Sequence, residues 1–322
     1  MSLTPLSAIE DAAAAISGRV HRTPLLSCEA IASRLAAATG GRPRRLLLKA
    51  ENLQKTGSFK VRGVLNRIRA LDADERGRGL ITISAGNHAA ALAWGAAAAR
   101  VPCTVVMPEG AEPAKVEASR GYGAEVILHG DVAAAFQECF RLRDERGLTF
   151  VHPFDDPAII AGAGTVGLEI LQDAPDTDVV VVPVGGGGLI SGVAAAVKAI
   201  RPEARVYGVE PEGAPGLRRA LDAGEVVRLE RVDTVAGGLA PPFAGALALE
   251  HARALVDDVV LVSDDDILDA MRFVLERAKL LVEPSGAAGV AALVMGLLRV
   301  SPDQAVAVVL SGGNTSLSLI TG

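Results

Sequence analysis

The sequence predicts an α/β protein of two domains, built on largely parallel, twisted sheets flanked by helices. Short β-branched runs alternate with longer Ala-rich stretches of helical character, the pattern of α/β architecture. The 322 residues suffice for two hydrophobic cores. Half of them are apolar and 35 are Gly, yet only 3% are aromatic, which suits close packing of helices on sheets and not a disordered chain.

The apolar run at 46–49 is the first expected strand, and a helix over 60–71 follows it. Strands at 80–83, 104–107 and 125–128 then alternate with helices over 88–99, 113–121 and 132–146. The valine run at 179–184 leads into a helix over 189–200, and 205–209 is again a strand. Helices over 265–280 and 286–298 precede a last strand at 305–310. Residues 80–151 are expected to form a small mobile domain, and 1–79 with 152–322 a large one. Between two such layers lies a cleft for a ligand.

Composition excludes several functions. A net charge of −6 provides no basic field for nucleic acid; Arg42, Arg44 and Arg45, like Arg218 and Arg219, are short solvated groups. Cys28, Cys103 and Cys139 are too few and too far apart for a disulfide framework or a metal site, so a reducing, cytoplasmic setting is the default. Glu10 and Asp11 stand early where a signal peptide would be basic and then apolar. The uncharged run 179–197 is long enough to span a bilayer, but it contains Pro183 and four consecutive glycines and reads as strand, turn and helix. His88, His129, His152 and His251 lack metal spacing; His129 and His152 read as structural and His88 as a helix-start residue.

Four strand-to-helix junctions concentrate chemistry. Gly185, Gly186, Gly187 and Gly188 stand between a strand and a helix, where glycine lets several N–H groups converge on an anion. The register fits neither GxGxxG nor a Walker loop. In Lys55-Thr56-Gly57-Ser58-Phe59-Lys60, Lys60 falls at a helix start, where the positive dipole end makes it a poor structural cap and lowers the pKa of its amine. An exposed surface lysine is the competing reading of that segment. Ser84-Ala85-Gly86-Asn87-His88 suits a carboxylate, with an ordinary helix cap by Ser84 or Asn87 as the alternative. Ser311-Gly312-Gly313-Asn314 supplies a hydroxyl at a strand's C-terminal end, where α/β sheets place ligands.

With these motifs in order, from His21-Arg22-Thr23-Pro24-Leu25 to Ser311-Gly312-Gly313-Asn314, the chain resembles the fold-type II pyridoxal-phosphate (PLP) enzymes, which share the tryptophan synthase β-like fold. It is most similar to their serine/threonine dehydratase and serine racemase group. The resemblance implies that Lys60 carries the cofactor as a Schiff base, with Phe59 against it. It implies that Asn87 binds the ring hydroxyl, that Gly185, Gly186, Gly187 and Gly188 hold the phosphate, and that Ser311 meets the pyridine nitrogen. Glu283 lies beside the ring, and Ser84, Ala85, Gly86, Asn87 and His88 grip the substrate carboxylate. The large domain then binds PLP. A neutral hydroxyl at the pyridine nitrogen makes the ring a moderated electron sink, suited to β-elimination, and Lys60 is placed to remove the α-proton.

The implied activity is that of an ammonia-lyase turning a small β-hydroxy amino acid such as L-threonine or L-serine into a 2-oxo acid and ammonia. Alternatives are a serine racemase, a cysteine synthase-like β-replacement enzyme, a hydroxyaspartate ammonia-lyase, or a cofactor-binding protein without turnover. Ala85 stands where the racemases have a second serine, which favours elimination. A cation site of relatives is matched at Glu210 and Ala214, but Gly216 replaces its second acid, so no metal is expected. Gly237 stands where relatives often carry an aspartate. The resemblance also implies a homodimer, and no regulatory domain is expected after the Ser311 motif.

Overall fold

A computed structural model of the chain describes residues 3–316 and Leu319. The chain opens with α1 (Leu6–Ile16), β1 (Leu25–Ser27), α2 (Glu29–Thr39) and β2 (Arg45–Lys49), then reaches α3 (Lys60–Ala70) and α4 (Ala73–Arg78). Strands and helices next alternate: β3 (Leu80–Ile83), α5 (Asn87–Ala99), β4 (Cys103–Met107), α6 (Pro113–Gly121), β5 (Glu125–Leu128), α7 (Val132–Arg146) and β6 (Thr149–Phe150). The stretch α8 (Pro157–Asp173), β7 (Val179–Pro183), α9 (Gly188–Ile200), β8 (Arg205–Pro211) and α10 (Gly216–Ala223) follows. The chain continues through α11 (Ala246–Leu255), β9 (Asp258–Val262), α12 (Asp264–Ala278), α13 (Pro284–Val294) and β10 (Ala305–Val309).

The strands form a six-stranded sheet, β1-β2-β10-β7-β8-β9, and a four-stranded sheet, β5-β4-β3-β6. Among these strands only β1 pairs antiparallel, with β2. The central strands β7 and β10 of the large sheet are buried on both faces, so they are continuous apolar runs whose alternate residues feed different cores. Val179, Val181, Val306 and Val308 join one cluster with α2, α12 and α13. Val180, Val182, Ala307 and Val309 join another with α8 and α9. The four-stranded layer shares its core with its surroundings: Leu80, Leu92 and Val105 pack with Val61, Val64 and Ile68 of α3 and with Ile159 of α8.

All seven expected strands and all seven expected helices are present, with 80–83, 113–121, 125–128 and 132–146 bounded as expected. The largest boundary error is at α13, which ends at Val294 and not at 298 because Gly296 takes φ +70° and turns the chain. The composition hid α8, whose first turns read Ile-Ile-Ala-Gly-Ala-Gly. Those glycines are contact points: a Cβ on Gly162 would lie 2.6 Å from the Arg62 carbonyl oxygen, and one on Gly164 2.9 Å from that of Gly192. Close helix–helix approach therefore compensates their low helix propensity. No helix among the described residues is long and apolar enough to cross a membrane.

Candidate active site

A cavity of about 490 Å³ gathers all four junctions, with Lys60, the 84–88 loop, Gly185 to Gly188, Glu283 and Ser311 in its wall. The Lys60 junction is held by the last strand's exit. Thr56 (φ 59°) and Gly57 (φ +73°) reverse the chain in left-handed conformations, and Ser58 then bridges Gly312 in antiparallel fashion. Phe59 N–H donates to the Ser311 carbonyl at 3.1 Å, and Gly313 N–H to that of Gly57 at 2.9 Å. Lys60 is the first residue of α3. Its Nζ donates to the Pro153 carbonyl at 2.8 Å and, among the described residues, has no carboxylate in ion-pair contact. Burial brings its pKa down to about 8, while the Glu283 charge opposes the fall.

The four glycines form a cradle that side chains would fill. A Cβ on Gly186 would enter the Phe154 ring, and one on Gly188 would lie 2.8 Å from the Phe154 carbonyl oxygen. Gly187 has φ +90°, and a Cβ there would strike Ala248. Gly188 opens α9, so the free N–H groups of a 13-residue helix face this mouth.

On another wall, Asn87 Nδ2 donates to Glu283 Oε1 at 2.6 Å, and Asn314 Nδ2 donates to Asn87 Oδ1 at 2.8 Å. This fixes the Asn87 amide with its donor side toward Glu283. Burial raises the Glu283 carboxyl to about 7, against the Asn87 hydrogen bond. The Ser311 hydroxyl is buried with one long contact of 3.5 Å to the Ser285 carbonyl, so it keeps hydrogen-bonding capacity.

The ordinary side-chain cap, the alternative reading of the 84–88 loop, is not made. Gly86 is the capping residue, and neither Ser84 nor Asn87 caps α5. Ser84 Oγ instead accepts from Gly86 N–H at 3.2 Å. His88 is buried; its Nε2 donates to the Val151 carbonyl at 3.3 Å and its Nδ1 has no protein partner. Burial, with the Lys60 charge adding to it, takes its pKa down to about 3, so its ring is neutral.

Among the wall residues that the sequence did not assign to the site are His152, Pro153 and Phe154. His152 reads from sequence as structural, yet its ring lines the cavity and meets Phe154 edge-on at 4.6 Å. The available signal was its position just beyond a parallel strand's C-terminal end, where such sheets bind ligands.

At Glu210 the residues do not fit a divalent cation. Both carboxylate oxygens accept backbone N–H groups, from Leu217 at 2.7 Å and Arg218 at 2.8 Å, and Gly216 brings no second carboxylate. Burial raises this carboxyl to about 7.

The cavity does fit pyridoxal phosphate. It offers a buried amine in ion-pair contact with no carboxylate among the described residues, a cradle at a helix N-terminus for a dianion, and, for a heteroaromatic ring, a hydroxyl with only one long contact and an oriented amide. Residues 16–312 match the family described as "Pyridoxal-phosphate dependent enzyme". The chain is 46% identical to an L-threonine ammonia-lyase of Thermotoga maritima over 316 residues, 98% of this chain and 77% of the relative. A maize serine racemase structure superposes with a TM-score of 0.92 at 38% identity, covering 99% of this chain and 96% of that one. A threonine deaminase structure from T.th. gives 0.88 at 42% identity, covering 97% and 99%. The cradle, the buried amine and these likenesses agree: the chain belongs to the pyridoxal-phosphate dependent enzymes of fold type II.

Proposed function

We propose that this enzyme is an ammonia-lyase that removes the hydroxyl and amino groups of a small β-hydroxy amino acid, L-threonine or L-serine, to release a 2-oxo acid and ammonia. The observation that carries the reading is Lys60: a buried amine, lowered to about 8, that opens into the cavity between the glycine cradle and Ser311. Bound there, pyridoxal phosphate supplies an electron sink for charge developing at the substrate's α-carbon. Lys60 holds the cofactor and afterwards, as a free amine, takes the α-proton; a pKa near the working pH suits that role. Gly185 to Gly188 bind the phosphate, and Asn87, Glu283 and Ser311 orient the ring beside Phe59. The 84–88 loop binds the substrate carboxylate. Ala85 brings no proton donor to the site, which favours elimination over stereoinversion.

The relatives' names support this reading, being an L-threonine ammonia-lyase and a threonine deaminase beside a serine racemase. In this reading 80–151 move against 1–79 and 152–322, and the enzyme works as a cytoplasmic homodimer. The test is borohydride reduction with pyridoxal phosphate, followed by peptide mapping and a keto-acid assay. A pyridoxyl adduct on Lys60 with keto-acid release from L-threonine or L-serine is expected. A label on another amine, or D-serine as the main product from L-serine, would overturn the reading.

A further inference from the structure

Resting on that lyase reading, we propose that His152 is a fixed, neutral hydrogen-bond donor for the substrate's β-hydroxyl. Its Nδ1 accepts two backbone N–H groups, from Asp155 at 2.8 Å and Phe154 at 3.2 Å. A nitrogen that accepts twice carries no proton, so the neutral ring carries its hydrogen on Nε2. No protein group among the described residues takes that hydrogen. The ring is clamped edge-on by Phe150 at 5.9 Å and Phe154 at 4.6 Å, so it cannot turn to another tautomer's geometry without losing both. Burial lowers its pKa, with the Lys60 charge adding to the fall and the Asp155 and Asp156 charges opposing it, and so favours the neutral ring with one N–H to give.

The location selects the ligand atom. The residue after His152 supplies the carbonyl that anchors Lys60 Nζ, and the next, Phe154, is the ring over Gly186 in the phosphate cradle. The donor thus lines the same cavity as the amine that takes the α-proton, and its next two residues touch that amine and the phosphate cradle. The 84–88 loop, with its own donors, serves the carboxylate. An oxygen on the β-carbon is the substrate group left for it. A neutral donor there holds the hydroxyl in line to depart and stabilises charge that develops on its oxygen.

A change of leaving group tests this. His152→Phe keeps the ring contacts and removes the donor. Rates of 2-oxo acid release would be compared for L-serine and β-chloro-L-alanine, whose chloride needs no donor. Expected is a fall of about tenfold to a hundredfold in kcat/KM for L-serine, with β-chloro-L-alanine changed less than about threefold. His152→Leu, also without a donor, should give the same split, and His152→Gln, which regains an N–H, should recover part of the serine rate. Equal losses on both substrates would show a purely structural residue and overturn the inference. Should the wild type release no 2-oxo acid from L-serine or L-threonine, the lyase reading fails, and the His152 role with it.

Discussion

Two buried charge clusters sit two residues apart on α3, about 200° around the helix, and they are built oppositely. Arg62 is fully buried and fully occupied: it pairs with both oxygens of Glu51 at 2.8 Å and with Glu169 at 2.7 and 2.9 Å. Lys49 completes the network through Glu169 and the Thr23 carbonyl, and Thr23 hydrogen-bonds Glu51. Burial alone would raise the Glu51 carboxyl, but the Arg62 charge and hydrogen bonds, the Lys49 charge and the Thr23 hydrogen bond together outweigh it and hold it below its usual range. At Lys60 no such partner exists, and burial wins. A buried charge with complete partners is a fixed joint, whereas one with partial partners waits for a ligand.

Breaking the joint should have the largest effect. Arg62→Met leaves the buried Glu51 without its guanidinium and Glu169 with Lys49 alone, and should cost about 3–5 kcal/mol in urea unfolding of the apoprotein. Removing the waiting charge should do the reverse. Lys60→Met should abolish cofactor capture yet raise apoprotein stability at pH 7 by about 1–2 kcal/mol. The folded pKa of Lys60 is depressed, so the unfolded chain binds its proton more tightly between about 8 and the ordinary 10.5. Wild-type apoprotein stability should therefore gain from this residue as pH rises through that window, and the variant should lose that gain. Urea midpoints taken across the window would check both.

A finer prediction concerns capture of pyridoxal phosphate by the apoprotein, which should quicken with pH and level off above about 8. Glu283 holds Lys60's proton in place, so Glu283→Gln should move that midpoint to lower pH, read by stopped-flow absorbance. The smallest effect expected is from Ala85→Ser, which adds a hydroxyl to the cavity wall. Trace D-serine formed from L-serine, absent in the wild type, would be seen by chiral chromatography.

The sequence disclosed residues whose chemistry is local. Lys60 stood out at a helix start with an exposed lysine as the competing reading, the four glycines suited an anion better than a mere connector, and the valine run before them read as a strand. It hid residues whose meaning lies in a distant partner. His152 gains its tautomer from its own turn, but its relevance comes from Lys60, whose amine reaches Pro153, 93 positions further along the chain. Helix α8 was invisible because its glycines are legible only against the backbone of α3 and α9. The short edge strand β1 and the strand β9 carried too little pattern to separate from loops.

The antiparallel bridge between Ser58 and Gly312 has a consequence for biosynthesis. Lys60 leaves the ribosome long before Ser311, and the turn that presents it is braced by the later segment. A product cut short before that segment keeps its lysine but lacks the brace, so it should capture the cofactor poorly. Such long-range closure also makes assembly slow relative to local helix formation, which leaves chaperones a period in which to act.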